Sequence, residues 1–138
     1  MQDSPQDQAS VRYIVDDVQD AIDFYTAHLG FTLQFSGAPN FAAITRGSLR
    51  LLLAATKSPG GSGQPMPDGR RPEPGGWNRI LLITQDIDAD VKRLQAAGLN
   101  FRNEVIAGIG GSQILLDDPS GNPIELFQPM KQPGTLDM

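Results

Sequence analysis

The stretch Val11-Arg12-Tyr13-Ile14-Val15-Asp16-Asp17-Val18 decides the fold, because its pattern returns later as Arg79-Ile80-Leu81-Leu82-Ile83-Thr84-Gln85-Asp86-Ile87. Each copy opens with a β-branched and apolar run that reads as a strand. Asp17 and Asp86 then stand where a helix N-cap belongs. Behind the first, Val18, Ala21, Ile22, Tyr25 and Leu29 recur at helical spacing, and Gly30 supplies the stop. Behind the second, Ile87, Val91 and Leu94 do the same and Gly98 stops the helix. Three short apolar-rich runs follow each helix. In the first copy they are Phe31 to Phe35, Asn40 to Thr45 and Leu49 to Ala54. In the second they are Phe101 to Ile106, Ser112 to Leu116 and Pro123 to Gln128. Asp17 and Asp86 stand 69 positions apart, Gly30 and Gly98 stand 68 apart, and Gly47 and Gly121 stand 74 apart. A shared offset with small drifts is what duplication followed by loop insertion leaves. The sequence therefore predicts an α+β protein of two tandem βαβββ units.

Composition sets the outer limits. A chain of 138 residues suits one domain, and with 39% apolar and 20% charged residues and no apolar run near the roughly 18 residues that cross a bilayer, no membrane partner is expected. The N-terminal segment is polar and lacks a basic start followed by an apolar stretch, which predicts no secretory leader and a cytoplasmic location. The absence of cysteine removes disulfides, thiolate metal sites and Cys nucleophiles. A net charge of −5 with scattered Lys and Arg speaks against nucleic acid as a partner.

The expected organisation is one compact domain: a polar tail over 1–10, the first unit over 11–57, a linker over 58–76, the second unit over 77–129 and a C-terminal tail over 130–138. The linker is dense in Gly and Pro, which excludes helix and strand and leaves a tether or a functional lid. Arg70, Arg71 and Trp77 are its candidates for touching a ligand.

Two ends of the chain carry a resemblance. Tyr13-Ile14-Val15-Asp16-Asp17-Val18, Ile22-Asp23-Phe24-Tyr25 and His28-Leu29-Gly30-Phe31 resemble the opening of the vicinal oxygen chelate superfamily, which contains glyoxalases, bleomycin resistance proteins and extradiol dioxygenases. Leu116-Asp117-Asp118-Pro119-Ser120-Gly121-Asn122-Pro123-Ile124-Glu125-Leu126-Phe127 resembles its closing turn and strand. The resemblance implies that the two units form a curved, partly open mixed sheet around a cavity, with the helices outside. It also implies a site inside the cavity, where the enzymes of the superfamily set His or Glu on the first and last strands to hold a metal and the binding proteins do without one.

That implied metal set can be tested by position. The first-strand ligand falls seven residues before the capping Asp, at Ser10 and Arg79. The last-strand ligand falls at Glu125 in the second unit and, when Gly47 is aligned with Gly121, at Leu51 in the first. Only Glu125 commonly binds a metal, and an Arg side chain donates without accepting. No metal and no cofactor are therefore expected. His28, the single histidine, reads as a helix residue beside a negative C-terminal dipole rather than as a ligand. A lone carboxylate in a cavity is costly to desolvate, and Arg79 is the counter-charge expected to converge on it.

With Ser10, Leu51, Arg79 and Glu125 facing the cavity as the resemblance implies, strand alternation adds Arg12 and Phe127, and Trp77 stands at the entrance two residues before Arg79; these seven are the expected ligand-binding residues. The leading functional expectation is a metal-free binding protein that sequesters a small organic compound, as a homodimer of the kind the superfamily often forms. The alternative is a metal-independent enzyme with Glu125 as general base beside Arg79. A metal-dependent lyase, isomerase or dioxygenase ranks below it, and a protein-interaction module with an empty cavity is the fourth possibility.

Overall fold

The computed structural model describes residues 8–56 and 63–130. The expected tails fall outside the described residues over 1–7 and 131–138, as does 57–62 at the junction of first unit and linker. Two compact units emerge, one comprising Met1–Gly75 with Pro119–Asn122, the other Gly76–Asp118 with Pro123–Met138.

In the first unit, β1 (Ala9–Val15) leads into α1 (Val18–His28), followed by β2 (Thr32–Gly37), β3 (Phe41–Arg46) and β4 (Leu49–Ala55). The sheet order is β1-β4-β3-β2, with β1 parallel to β4 and the other pairs antiparallel. In the second unit, β5 (Ile80–Ile83) and α2 (Ile87–Ala96) precede β6 (Ile106–Ala107), β7 (Gly111–Asp117) and β8 (Pro123–Pro129). Its order is β5-β8-β7-β6, again with one parallel pair, β5 with β8. The protein is therefore α+β, with two mixed sheets of identical order, as the repeated pattern predicts.

The local reasons are the ones the sequence announces. Asp17 caps α1 by accepting the amide of Asp20 at 3.0 Å, and Asp86 caps α2 by accepting that of Ala89 at 3.0 Å. Gly30 closes α1 with φ 72°, and the Phe31 amide reaches back to the Tyr25 carbonyl at 3.3 Å. That six-residue return needs a left-handed residue at Gly30. The helix buries Val18, Ala21, Ile22 and Tyr25, whose ring packs edge-on against Phe24 and Phe31. Tyr13, Val15, Ile44, Leu51 and Leu53 fill the core of the first unit, and Ile80, Leu82, Leu94, Ile114, Leu116, Ile124 and Leu126 that of the second.

Two departures from the expected elements have physical causes. The strand expected over Phe101 to Ile106 reduces to Ile106–Ala107, with Phe101 making an isolated bridge to Leu116. Here the Asn103 side-chain carbonyl accepts the Leu115 amide at 2.9 Å, where a strand would supply a backbone acceptor. The turn Pro119–Asn122, between β7 and β8 in sequence, belongs to the first unit. The Ser120 hydroxyl accepts the Asp16 amide at 2.8 Å, and the Asn122 amide donates to the Ile14 carbonyl at 2.8 Å. The Asn122 carbonyl also accepts the amide of Gly75 at 2.8 Å.

Asn122 is buried and holds both ends of this arrangement. Asn122→Ala is expected to cost about 1–3 kcal/mol, because two backbone groups lose their partner where water enters poorly. Urea unfolding reads it as a lower midpoint; an unchanged midpoint would mean that the turn is only a connection.

Candidate functional site

Each sheet has one face under its helix and one open face, and pairing register decides which side chains stand on which. In the second unit Leu81 pairs with Glu125 and Ile83 with Phe127, while Glu125 also pairs with Leu115 across β7. These residues share the open face, since paired residues point the same way and Ile80, Leu82, Ile124 and Leu126 fill the other. Leu81 and Ile83 remain exposed there.

Glu125 is the buried acid of this face, its side chain 8% exposed. Arg79, just before β5, donates to its Oε1 from Nε at 3.1 Å and from NH2 at 2.9 Å. Both bonds land on one oxygen, so Oε2 has no bond to another described residue. A third bond, from Arg79 NH1 to the Trp77 carbonyl at 3.3 Å, fixes the fork from behind. The convergence of Arg79 on Glu125 expected from the sequence is present.

Trp77 is 72% exposed and lies under the guanidinium of Arg102, 5.2 Å from the ring centroid. Arg102 is itself anchored by Asp117 at 2.6 Å and by the Gly76 carbonyl at 3.4 Å. Sequence reasoning missed Arg102, because the contact joins residues 25 apart through an irregular segment that no periodicity marks. Of the other linker candidates, Arg70 is tied to Asp68 at 2.8 Å in a local exposed turn, and Arg71 is exposed. His28 sits in the last turn of α1 with its ring against Phe24.

In the first unit the register corrects the expected counterpart of Glu125. Ser10 pairs with Arg50, Val11 with Leu51 and Arg12 with Leu52. Leu51 therefore shares the face of Val11, Tyr13 and Val15 and is fully buried under the helix. Leu52 stands on the open face, level with Arg12, and Arg50 stands level with Ser10. The cause is one residue: the turn around Gly47 and the turn around Gly121 join their strands at positions that differ by one relative to β1 and β5. A one-residue slip exchanges the two faces of a strand. Arg50 is thus a residue of the open face that glycine alignment hid, and its Nε donates to the Ser10 hydroxyl at 3.0 Å.

A pocket of about 560 Å³ lies in the second unit at the far ends of β5 and β8, lined by Ile83, Thr84, Gln85, Gly111, Gln128 and Met130 among others. It contains none of the expected site residues. Two of its polar groups hold α2: the Thr84 hydroxyl donates to Asp90, and the Gln128 side-chain carbonyl accepts the Ile87 amide at 2.8 Å. With no charged side chain on its wall, the pocket lacks the ionic groups that the open faces carry.

The residues at the positions that bear metal ligands in the superfamily do not fit a divalent ion. By register they are Ser10 and Leu52 in the first unit and Arg79 and Glu125 in the second, and the single carboxylate is engaged by a permanent cation. Among the described residues no three His, Cys, Asp or Glu side chains gather in a way that could hold a metal.

The ion pair makes a stability prediction. Arg79→Met strands a buried carboxylate and is expected to cost about 2–4 kcal/mol, whereas Glu125→Gln keeps an acceptor for Arg79 and costs less. Adding Glu125→Leu to Arg79→Met should recover part of the loss in chemical denaturation. A double variant whose cost equals the sum of the single costs would show that the pair is not coupled.

The comparisons with known proteins agree with this architecture. The model of the Glyoxalase/Bleomycin resistance protein/Dioxygenase superfamily matches residues 8–126. Among solved structures, a member of that superfamily from Sphaerobacter thermophilus is 31% identical, with 87% of this chain and 94% of that one covered and a TM-score of 0.70. TnmS3, an antibiotic binding protein from a Streptomyces species, is 29% identical, with 88% and 93% covered and a TM-score of 0.66. A lactoylglutathione lyase from Agrobacterium tumefaciens shares the fold at 18% identity, with 91% and 96% covered and a TM-score of 0.70. No curated protein matches the chain. With a family model spanning both sheets and both helices, the chain belongs to the glyoxalase/bleomycin resistance protein/dioxygenase superfamily.

Proposed function

We propose that this protein binds a small organic molecule on the open faces of its sheets without a metal ion, as a sequestering or carrier protein. The observation that carries the reading is the commitment of Glu125 to Arg79. A carboxylate meant for a metal is kept available, and here two N–H bonds from one guanidinium occupy its Oε1. Around the pair, Leu81, Ile83, Leu115 and Phe127 supply apolar area and Trp77 an exposed aromatic plane. That combination of apolar wall, aromatic plane and few polar groups suits a flat organic ligand. The likeness to an antibiotic binding protein at 29% identity supports the same ligand class.

The competing reading is a metal-independent enzyme. It draws on one feature, the Oε2 of Glu125 with no bond to another described residue, which leaves a carboxylate oxygen for proton abstraction beside a cation that could stabilise an anion. We propose further that the protein acts in the cytoplasm as a homodimer, without nucleic acid or membrane partners. Among the described residues no helix is long and apolar enough to cross a membrane.

The test uses the single tryptophan as reporter. Protein purified without chelator is expected to carry no stoichiometric zinc, iron, nickel or manganese by elemental analysis, and mass spectrometry of the protein fraction should reveal a co-purified organic compound that quenches Trp77 fluorescence when added back. Glu125→Gln should retain binding of that compound. Stoichiometric metal lost in Glu125→Gln defeats the metal-free reading, and conversion of the compound that ceases in Glu125→Gln with binding intact makes the protein an enzyme.

A further inference from the structure

The open faces of the two sheets are unequal in charge although their topology is the same. On the second, Arg79 is neutralised by Glu125. On the first, the corresponding places hold Ser10 and Leu52, and the register adds Arg12 beside Leu52 and Arg50 beside Ser10. Duplication has therefore left two guanidinium groups and no carboxylate on β1 and β4 of this face. Arg50 is half-buried, its Nε is spent on the Ser10 hydroxyl, and it forms no ion pair with a described residue. A half-buried guanidinium that among the described residues is anchored only by a hydroxyl is a place where a negative group gains from charge-assisted bonds.

The same face carries an aromatic plane at a fixed distance. Thr45 pairs with Arg50, Ala43 with Leu52, and Phe41 with Ala54, while across the next ladder Phe35 pairs with Ala43 and Gly37 with Phe41. All of these side chains stand on the open side. Phe35 and Phe41 are about half exposed and stack on one another with centroids 5.3 Å apart. Gly37 makes room for that arrangement: a Cβ there would meet the Phe41 ring at 2.8 Å. Ala43 and Leu52 form a low floor between the rings and the guanidinium. At about 4.8 Å per strand and ~3.3 Å per residue, Phe35 lies two strands and two residues from Arg50, or about 12 Å between backbones. Side chains reaching inward shorten that to the length of a fused two-ring or three-ring acid.

We propose that the open face of the first unit binds an organic anion, a planar aromatic acid whose carboxylate is held by Arg50 with the Ser10 hydroxyl and whose rings lie over Ala43 and Leu52 against Phe35 and Phe41. The proposal deepens the ligand-binding reading and rests on it. The open nitrogens of Arg50 form the planar fork that matches a carboxylate, a geometry a lysine would not reproduce.

The probe pair is 2-naphthoate and 2-naphthamide, equal in shape and different in charge, titrated into the full chain and followed by the Arg50 Nε–H signal and the Phe35 and Phe41 ring signals in NMR. The carboxylate is expected to bind about tenfold or more tightly than the amide, as a charge-assisted hydrogen bond would provide. It should shift all three signals saturably. Arg50→Gln should abolish the preference while leaving the amide's affinity in place, and Arg50→Lys should restore only part of it. Equal affinity for the two probes overturns the proposal. So does an Arg50 signal that never moves, or a face whose signals change with protein concentration alone, which would mean a second copy covers it. The wild-type comparison stands even if Arg50→Gln fails to fold. A chain that takes up naphthamide without preferring naphthoate keeps the general ligand-binding reading and loses this one. Stoichiometric metal at Glu125 defeats the metal-free reading and leaves the Arg50 result untouched.

Discussion

A β-strand offers only alternate side chains to one face, and the parallel pairing of the first and last strands of each unit decides which alternate set that is. This constraint governs everything chemical about the protein. Once Ser10 is level with Arg50, Leu51 must go under the helix and Leu52 must face outward. Once Leu81 is level with Glu125, the acid must share a face with Phe127, where Arg79 reaches it. The helices enforce the choice, because only the set containing Tyr13, Val15, Leu51 and Leu53 in the first unit, or Ile80, Leu82, Ile124 and Leu126 in the second, is apolar enough to be buried.

Within that frame the second unit pairs Glu125 with the guanidinium of Arg79, which on the reading proposed above stands in for a metal's positive charge. The substitution is only partly equivalent. Both groups bring positive charge to the carboxylate, but a guanidinium has fixed, planar donors and no vacant coordination positions with which to grip neighbouring oxygens of a substrate. Arg79 therefore balances the charge of Glu125 and leaves the second carboxylate oxygen without a bond to another described residue. Arg79 bonds the Trp77 carbonyl, Arg102 lies over the Trp77 ring and Asp117 holds Arg102, so this edge is built from residues distant in sequence.

The two units show how duplication separates architecture from chemistry. Strand order, the capping Asp of each helix and the glycine stops are shared. Charge is not: the open face of one unit pairs Arg79 with Glu125, whereas on that of the other Arg50 meets a hydroxyl and, among the described residues, no carboxylate. Ordered turns also need not stay with their own repeat, since Pro119–Asn122 makes its hydrogen bonds with the end of β1 and with Gly75.

The sequence by itself determined the element types and their repetition, because caps, stops and periodicity are local properties: Asp17 and Asp86 cap by reaching three residues ahead, and Gly30 can take its positive φ without reference to the rest of the chain. It also determined that Ser10, Arg79 and Glu125 cannot form a metal shell, since donor chemistry belongs to residue type. The convergence of Arg79 on Glu125 was legible only through the resemblance, which places the ends of the first and last strands of a unit side by side. Only the tertiary structure decided the face of Leu51, the place of Arg50 on the open face beside Ser10, the contact of Arg102 with Trp77 and the shortening of the strand after Phe101. Each of these depends on how a hairpin or ladder lines up two distant segments, and a shift of a single residue, invisible in glycine spacing, turns a side chain from core to open surface.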